Sequence, residues 1–349
     1  MGEVRGPRDA RRGRHHRPRE AHELTLRRRV IALLCAGAVA IVAAALVAAR
    51  RDERALADRP ATTPAGVHPL SEKKPASDEP FVAEPERWRG PQGRTGQFVV
   101  HCTYSHSGPN DPIVHYAMTG MSHRHDFYGA EHTDADTSPD SMLADSTTCD
   151  KTADKAAYWQ PTVYDHGEIV VPRDMSAYYR AAPGVDPESV EPFPLGLAML
   201  AGDQFATEPQ TGEAAGWTCG VRTDLSVQPP ECDPSAPLHL VLTFPDCWDG
   251  EYLDSEDHTS HVAYSAGGEC PDDIPVHVPQ LTVSIRFPIS GPGHDLTLAS
   301  GEVITAHGDF FNGWEPEGLE TEISACIRRG AVCDLASNRE EEALFSYAR

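Results

Sequence analysis

The chain has 349 residues, 40% of them apolar, and a formal net charge of -23, enough for one large domain or two modest ones and against wholesale disorder. Its 30 Pro and 28 Gly beside only 24% charged residues argue against a helical bundle or coiled coil and for short elements joined by turns. Residues 1–29 hold ten Arg against four acids, leaving 20 basic and 49 acidic side chains for residues 50–349, so the main domain lacks the basic footprint that nucleic acid requires.

In chain order, residues 1–29 read as a basic cytoplasmic tail. Residues 30–49 are uncharged and mostly apolar, bounded by Arg27, Arg28 and Arg29 on one side and Arg50 and Arg51 on the other, and are long enough for a transmembrane helix. The Arg surplus holds the N-terminus in the cytoplasm and sends the rest outside. The expected localisation is the cell membrane, single-pass with an extracellular C-terminal domain, or secretion if the small residues at 43–45 are cleaved. Residues 50–96, with Pro60, Pro64, Pro69, Pro75, Pro80 and Pro85, form a Pro-rich linker.

Cysteine usage supports export. Beyond Cys35, inside the apolar run, eight remain: Cys102, Cys149, Cys219, Cys232, Cys247, Cys270, Cys326 and Cys333. An even number suits four disulfides in an oxidising compartment. No two of the eight are two to four residues apart, the spacing by which one loop chelates zinc. Connectivity stays open, although sequence neighbours suggest Cys102 with Cys149, Cys219 with Cys232, Cys247 with Cys270, and Cys326 with Cys333.

The extracellular domain is expected over 97–335, opening on a strand through Phe98, Val99 and Val100. Further strands are predicted at 168–171, 238–243 and 281–287, where Leu281, Val283, Ile285 and Phe287 alternate with polar residues at period two. Helices are expected at 195–201, as a short piece, and at 319–329, which places Leu319, Ile323, Cys326 and Ile327 on one face. Residues 336–349 form a tail with an optional helix. The pattern predicts a mainly β, disulfide-stapled sandwich or jelly roll with long loops and a few short helices.

Histidine carries the chemistry. Of thirteen histidines from Gln97 onward, His123 and His125 share a face if the backbone is extended, and His258 and His261 share one in a helical turn. His307 lies in a Gly- and aromatic-rich segment with Asp309. The functional expectation is that His123, His125, His258, His261 and His307 converge on a divalent metal, with Asp257 or Asp309 as carboxylate ligand or general base. The competing expectation is that these histidines are half-buried hydrogen-bonding groups. A metal-free variant pairs one histidine as base with Tyr264 as acid, as eliminative cleavage of uronic polysaccharides needs. Trp248 and Trp314 are candidate sugar-stacking platforms, with core packing the alternative.

The acidic run from Asp246 to Asp257 lacks EF-hand spacing and reads as a solvated loop. No phosphate loop, nucleophile elbow or zinc-protease helix motif is present, which argues against nucleotide enzymes, α/β serine esterases and the common metalloproteases.

Six segments in order carry a resemblance: Asp111, Pro112, Ile113 and Val114; Ser122, His123, Arg124, His125, Asp126 and Phe127; Tyr158, Trp159, Gln160 and Pro161; residues 244–250; residues 257–261; and residues 307–314. In these the chain resembles the domain of unknown function 1996 family of exported bacterial and fungal proteins. It departs at His115, Tyr116 and Ala117, where the family often has a Pro-Gly turn, and after Gly129, where an Asn is common. Some fungal members join this domain to carbohydrate-binding modules, so the resemblance implies a cell-wall or polysaccharide setting and no defined activity. Two functions are therefore carried forward: an extracellular hydrolase or lyase acting on polysaccharide, and a non-catalytic cell-wall or carbohydrate-binding surface module.

Overall fold

The computed structural model describes residues 96–210, 214–220 and 224–333. The basic tail, the apolar segment at 30–49, nearly all of the linker and the tail from 336 lie outside the described residues. Among the described residues no helix is long and apolar enough to cross a membrane.

The strands in chain order are β1 (Gln97–Gly108), β2 (His125–Gly129), β3 (Ala157–Pro161), β4 (Val163–Asp165), β5 (Glu168–Val170), β6 (Asp174–Arg180), β7 (Ala198–Gly202) and β8 (Ala215–Cys219). They continue as β9 (Leu238–Thr243), β10 (Cys247–Trp248), β11 (Val262–Ala263), β12 (Val276–His277), β13 (Gln280–Arg286), β14 (Leu296–Leu298), β15 (His307–Phe311) and β16 (Val332–Cys333). Among the described residues, two short helices, α1 (Pro139–Ala144) and α2 (Pro316–Glu322), and a π-helical turn at Ile323–Ile327 complete the regular structure apart from two 3-10 turns. The domain is thus mainly β with few helices.

One long strand organises the sheet. The first seven residues of β1 pair with β6, while Tyr104, Ser107 and Gly108 pair with β2 across a register shift between Tyr104 and Ser107. Such an irregularity bends and twists a strand, so β1 belongs to two half-sheets: β1-β6-β13-β9-β8, and β7-β15-β3-β2-β1. The halves meet through a shared core. Phe98, Tyr179, Val283, Leu240 and Leu242 come from the first and Tyr158, Met199 and Phe310 from the second. Phe98 stacks on Tyr179 at 4.6 Å, and Phe244 meets Phe310 at 6.1 Å. A Cβ on Gly308 would lie 2.3 Å from Leu242 Cδ1, so glycine is what lets β15 approach β9 this closely.

Predicted strands at 238–243 and 281–287 appear as β9 and β13, and Leu281, Val283 and Ile285 all point into the core. The helix expected at 195–201 is replaced by β7. A seven-residue segment is too short to sustain a helix alone, whereas as a strand it gains a five-residue ladder with β15. The C-terminal helix begins at Pro316 and passes into the π turn that carries Cys326.

Four disulfides join Cys102 to Cys149, Cys219 to Cys232, Cys247 to Cys270, and Cys326 to Cys333, the pairing that sequence proximity suggests. A buried ion pair at 2.7 Å between Lys151 and Glu322 ties the segment after Cys149 to α2.

Candidate metal centre

The register of the second half-sheet places the chemistry. Phe127, Trp159 and Asp309 are cross-strand partners in β2, β3 and β15, so they share one face. Alternation puts His125, two residues before Phe127, and His307, two residues before Asp309, on that same face. The opposite face carries Tyr128, Tyr158 and Phe310, again in register, and is the one turned to the main core.

The outer face has its own cover. Ile113, Met142, Phe127, Trp159, Ala157 and Ala198 form a separate buried cluster, with Val114, Leu200 and Phe311 against it. The loop 109–124 and α1 therefore lie over this face, and the loop carries Asp111, His115 and His123 to the histidines of the sheet.

Three imidazoles converge. Ligand atoms of His123, His125 and His307 lie within 4.8 Å of one another, as do those of Asp111, His125 and Asp309. Ring centroids are 4.3 Å apart for His123 and His125, and 5.1 Å for His123 and His307. Two of the rings are oriented from behind. His125 Nδ1 donates to the Asn110 carbonyl at 2.9 Å and His307 Nδ1 to the Thr305 carbonyl at 2.8 Å. A carbonyl only accepts, so these bonds fix the tautomer and leave each Nε2 as a lone pair. The Nε2 atoms of His123 and His125 and Oδ2 of Asp309 are buried with no hydrogen-bond partner.

Electrostatics follow from burial. Desolvation lowers His123 and His307 to about 4 and takes His125 well below its usual value, with further lowering from the neighbouring histidines. All three rings are therefore neutral near pH 7, the form that ligates metals. Burial, with the adjacent Asp111 charge adding to it, holds the Asp309 carboxyl well above its usual range. Burial also raises Asp111, partly offset by the backbone N–H groups of Val114 and Ile113. A bound cation would favour both carboxylates. The group could thus hold a metal ion.

The other expected site residues stand apart from this group. His261 is buried with both ring nitrogens engaged, Nδ1 at 2.9 Å from Ser255 Oγ and Nε2 at 2.8 Å from the Ala198 carbonyl. The helical turn that would align His258 with His261 does not form, because His258 adopts φ 59°. Its Nδ1 is instead 2.9 Å from the Asp254 carboxylate. Asp257 caps the turn, accepting from the backbone of Ser260 and Thr259, which holds its carboxyl well below the usual range. Tyr264 donates to the Thr243 carbonyl at 2.7 Å, and burial pushes its phenol up. Trp314 is 1% exposed and donates to the Tyr179 hydroxyl at 3.1 Å; it is a core residue with no free face for a sugar. Trp248 is half-buried and donates to the Tyr252 carbonyl.

Asp111 and His115 are the residues that the sequence left out of the site. Asp111 sits before Pro112 and makes an Asx-type turn with Ile113 and Val114, which is how Asp-Pro reads in a sequence; its second role arises only once the loop folds over β2. Two other donor groups, Cys247 with Cys270 and His277, and Cys102 with Cys149 and Asp154, are accounted for by disulfides. A separate shallow recess lined by Gln210, Trp217, Val303 and Ile304 holds no titratable side chain.

No curated protein and no solved structure matches the chain in comparison. A family model does match, over a span that opens at Asp111 above the histidines and closes at Trp314, three residues after β15. By that match over residues 111–314, the chain belongs to the family described as domain of unknown function (DUF1996).

Proposed function

We propose that this domain is an extracellular enzyme that cleaves cell-wall or other polysaccharide, as a hydrolase or a lyase, at a divalent metal centre built on His123, His125 and His307 with Asp309 and Asp111. The observation that carries the reading is the convergence of three neutral imidazoles and two buried carboxyls, with His123 Nε2, His125 Nε2 and Asp309 Oδ2 left without partners, an arrangement costly to fold and suited to a ligand. Four disulfides support an oxidising compartment, reached through the apolar segment at 30–49 as an anchor or a cleaved signal. The acidic balance supports a partner other than nucleic acid.

In hydrolysis one water adds across the glycosidic bond: hydroxide to the anomeric carbon, its proton to a carboxylate, and a proton from an acid to the leaving oxygen. In elimination a base removes the proton beside the uronic carboxylate while the glycosidic oxygen leaves with a proton. Tyr116, Met118 and Met121, all more than half exposed on the roofing loop, supply an apolar surface for sugar rings.

The second reading, a non-catalytic wall-binding module, is favoured by that same exposed aromatic and methionine surface. Full-length chain should be incubated with neutral and uronate-containing polysaccharides, with and without chelator, following new reducing ends and unsaturated products. Turnover that is lost in His123→Ala and Asp309→Asn supports the enzyme. Retention on the polymer without turnover supports the module, and absence of both refutes the polysaccharide setting.

A further inference from the structure

We propose that His123, His125 and His307, closed by the Asp309 carboxylate, bind a first-row transition dication of the zinc or cobalt type, and that this ion pins the 109–124 loop onto the sheet. This deepens the reading of the site above and rests on that reading's location, not on its substrate.

The donors come from two places. His125 opens β2, and His307 and Asp309 lie on β15, so three of the four are fixed by the ladder through β3. His123 belongs to the loop. The loop is also attached to this face by the packing of Ile113 and Val114, by the Asn110 carbonyl bond to His125, and by the Arg124 carbonyl, which accepts from Thr162 N–H at 2.9 Å. A ligand shared by His123 and the sheet donors therefore adds a tie between loop and sheet at the end where the loop enters β2.

The donor chemistry selects the ion. Imidazole nitrogen suits zinc, cobalt, nickel, copper and iron, whereas calcium and magnesium take oxygen shells. The two Nδ1–H bonds to the Asn110 and Thr305 carbonyls are the second-layer contacts that orient ligating histidines in metal sites. Donors around an ion at about 2.1 Å stand about 3.4 Å apart in a tetrahedron. The three imidazole donors lie within 4.8 Å of one another, and Asp309 lies within that distance of His125 and Asp111, so closing the shell needs the loop-borne His123 and the Asp309 carboxylate to draw in toward His125. The three orphan polar atoms, His123 Nε2, His125 Nε2 and Asp309 Oδ2, are then satisfied by one species, as native structures require of buried polar atoms.

The test uses full-length chain stripped with chelator and titrated with cobalt chloride, read by visible spectroscopy and by hydrogen exchange over residues 109–124. Expected are uptake of one cobalt per chain with ligand-field bands, no competition by excess calcium, and slower exchange in the loop. His123→Ala, a loop substitution that spares the sheet, should weaken uptake by at least about tenfold and abolish the loop protection; His307→Ala should remove the bands. No stoichiometric uptake by the wild type, or uptake unchanged in both variants, overturns the centre. Uptake with unchanged loop exchange overturns the pinning. Cobalt uptake without glycan turnover sustains the centre and removes the enzyme reading, whereas chelator-insensitive turnover without uptake overturns the centre and leaves a metal-free enzyme.

Discussion

His125 and His261 are both buried histidines in the same half of the molecule, and opposite outcomes are expected on replacing each with alanine. His261→Ala removes two hydrogen bonds, to Ser255 Oγ and to the Ala198 carbonyl. A buried carbonyl left without its donor, plus the void of an imidazole, costs roughly 2 to 4 kcal/mol. For a domain of this size about 1 kcal/mol moves the melting temperature by about 2 to 4 °C, so a fall of roughly 4 to 16 °C is expected. His125→Ala also leaves a carbonyl, that of Asn110, without its donor and opens the void of a fully buried ring, but it removes an orphan Nε2, so its cost in metal-free protein is roughly 1 to 3 kcal/mol. Zinc separates the two variants. Ion at about a hundred times its dissociation constant stabilises the folded state by about 2.7 kcal/mol. It should raise the melting temperature of the wild type and of His261→Ala by roughly 5 to 11 °C and leave His125→Ala where it was. Thermal unfolding by circular dichroism, with zinc chloride and with chelator, reads all six conditions. An equal zinc-induced rise in His125→Ala and wild type, or its loss in His261→Ala, would refute the assignment of one histidine to the centre and the other to the core.

Ala117 adopts φ 58°, a conformation that costs an L-residue about 1 to 2 kcal/mol; Ala117→Gly should therefore stabilise the loop by roughly 1 kcal/mol after glycine's extra chain entropy, seen as a higher urea midpoint. Asp154 is fully buried, accepts from Tyr158 at 2.7 Å, and burial raises its carboxyl to about 8. The folded state keeps a proton that the unfolded state loses above pH 4, so this group's stabilisation is lost as pH rises from about 4 to 8, by at most about 1.4 kcal/mol per pH unit; Asp154→Asn should flatten the slope, and an unchanged slope would contradict the burial argument. A Cβ on Gly129, at φ 80°, would lie 1.9 Å from the Ala156 carbonyl oxygen, so Gly129→Ala should separate β2 from the residues before β3 and abolish soluble expression. Replacing Cys102 and Cys149 together by Ser should cost roughly 2 to 5 kcal/mol, while thiol titration of the denatured wild-type domain should find none of the eight cysteines free.

How much of this was legible in the sequence depends on which faces are buried. Leu281, Val283 and Ile285 alternate with Thr282 and Ser284, so β13 announces itself at period two. β2, β3 and most of β15 are buried on both faces, one face against the core and the other under the loop, so their sequences show no alternation and read as loops around catalytic-looking residues. The cysteine pairs were accessible because each closes a short or moderate loop. His123, His125 and His307 stood out by residue type, yet nothing in their spacing distinguishes them from His261, whose two partners are a serine six positions away and a carbonyl 63 positions away. What separates ligand from core histidine is strand order. β15 adds to β3, and β3 to β2, because that order buries Phe127, Trp159 and Phe311 together under Ile113. The same order leaves His307 beside His125 with its free nitrogen unspent. A satisfied histidine and an unsatisfied one are thus the same letter, and only the register of the sheet assigns each its role.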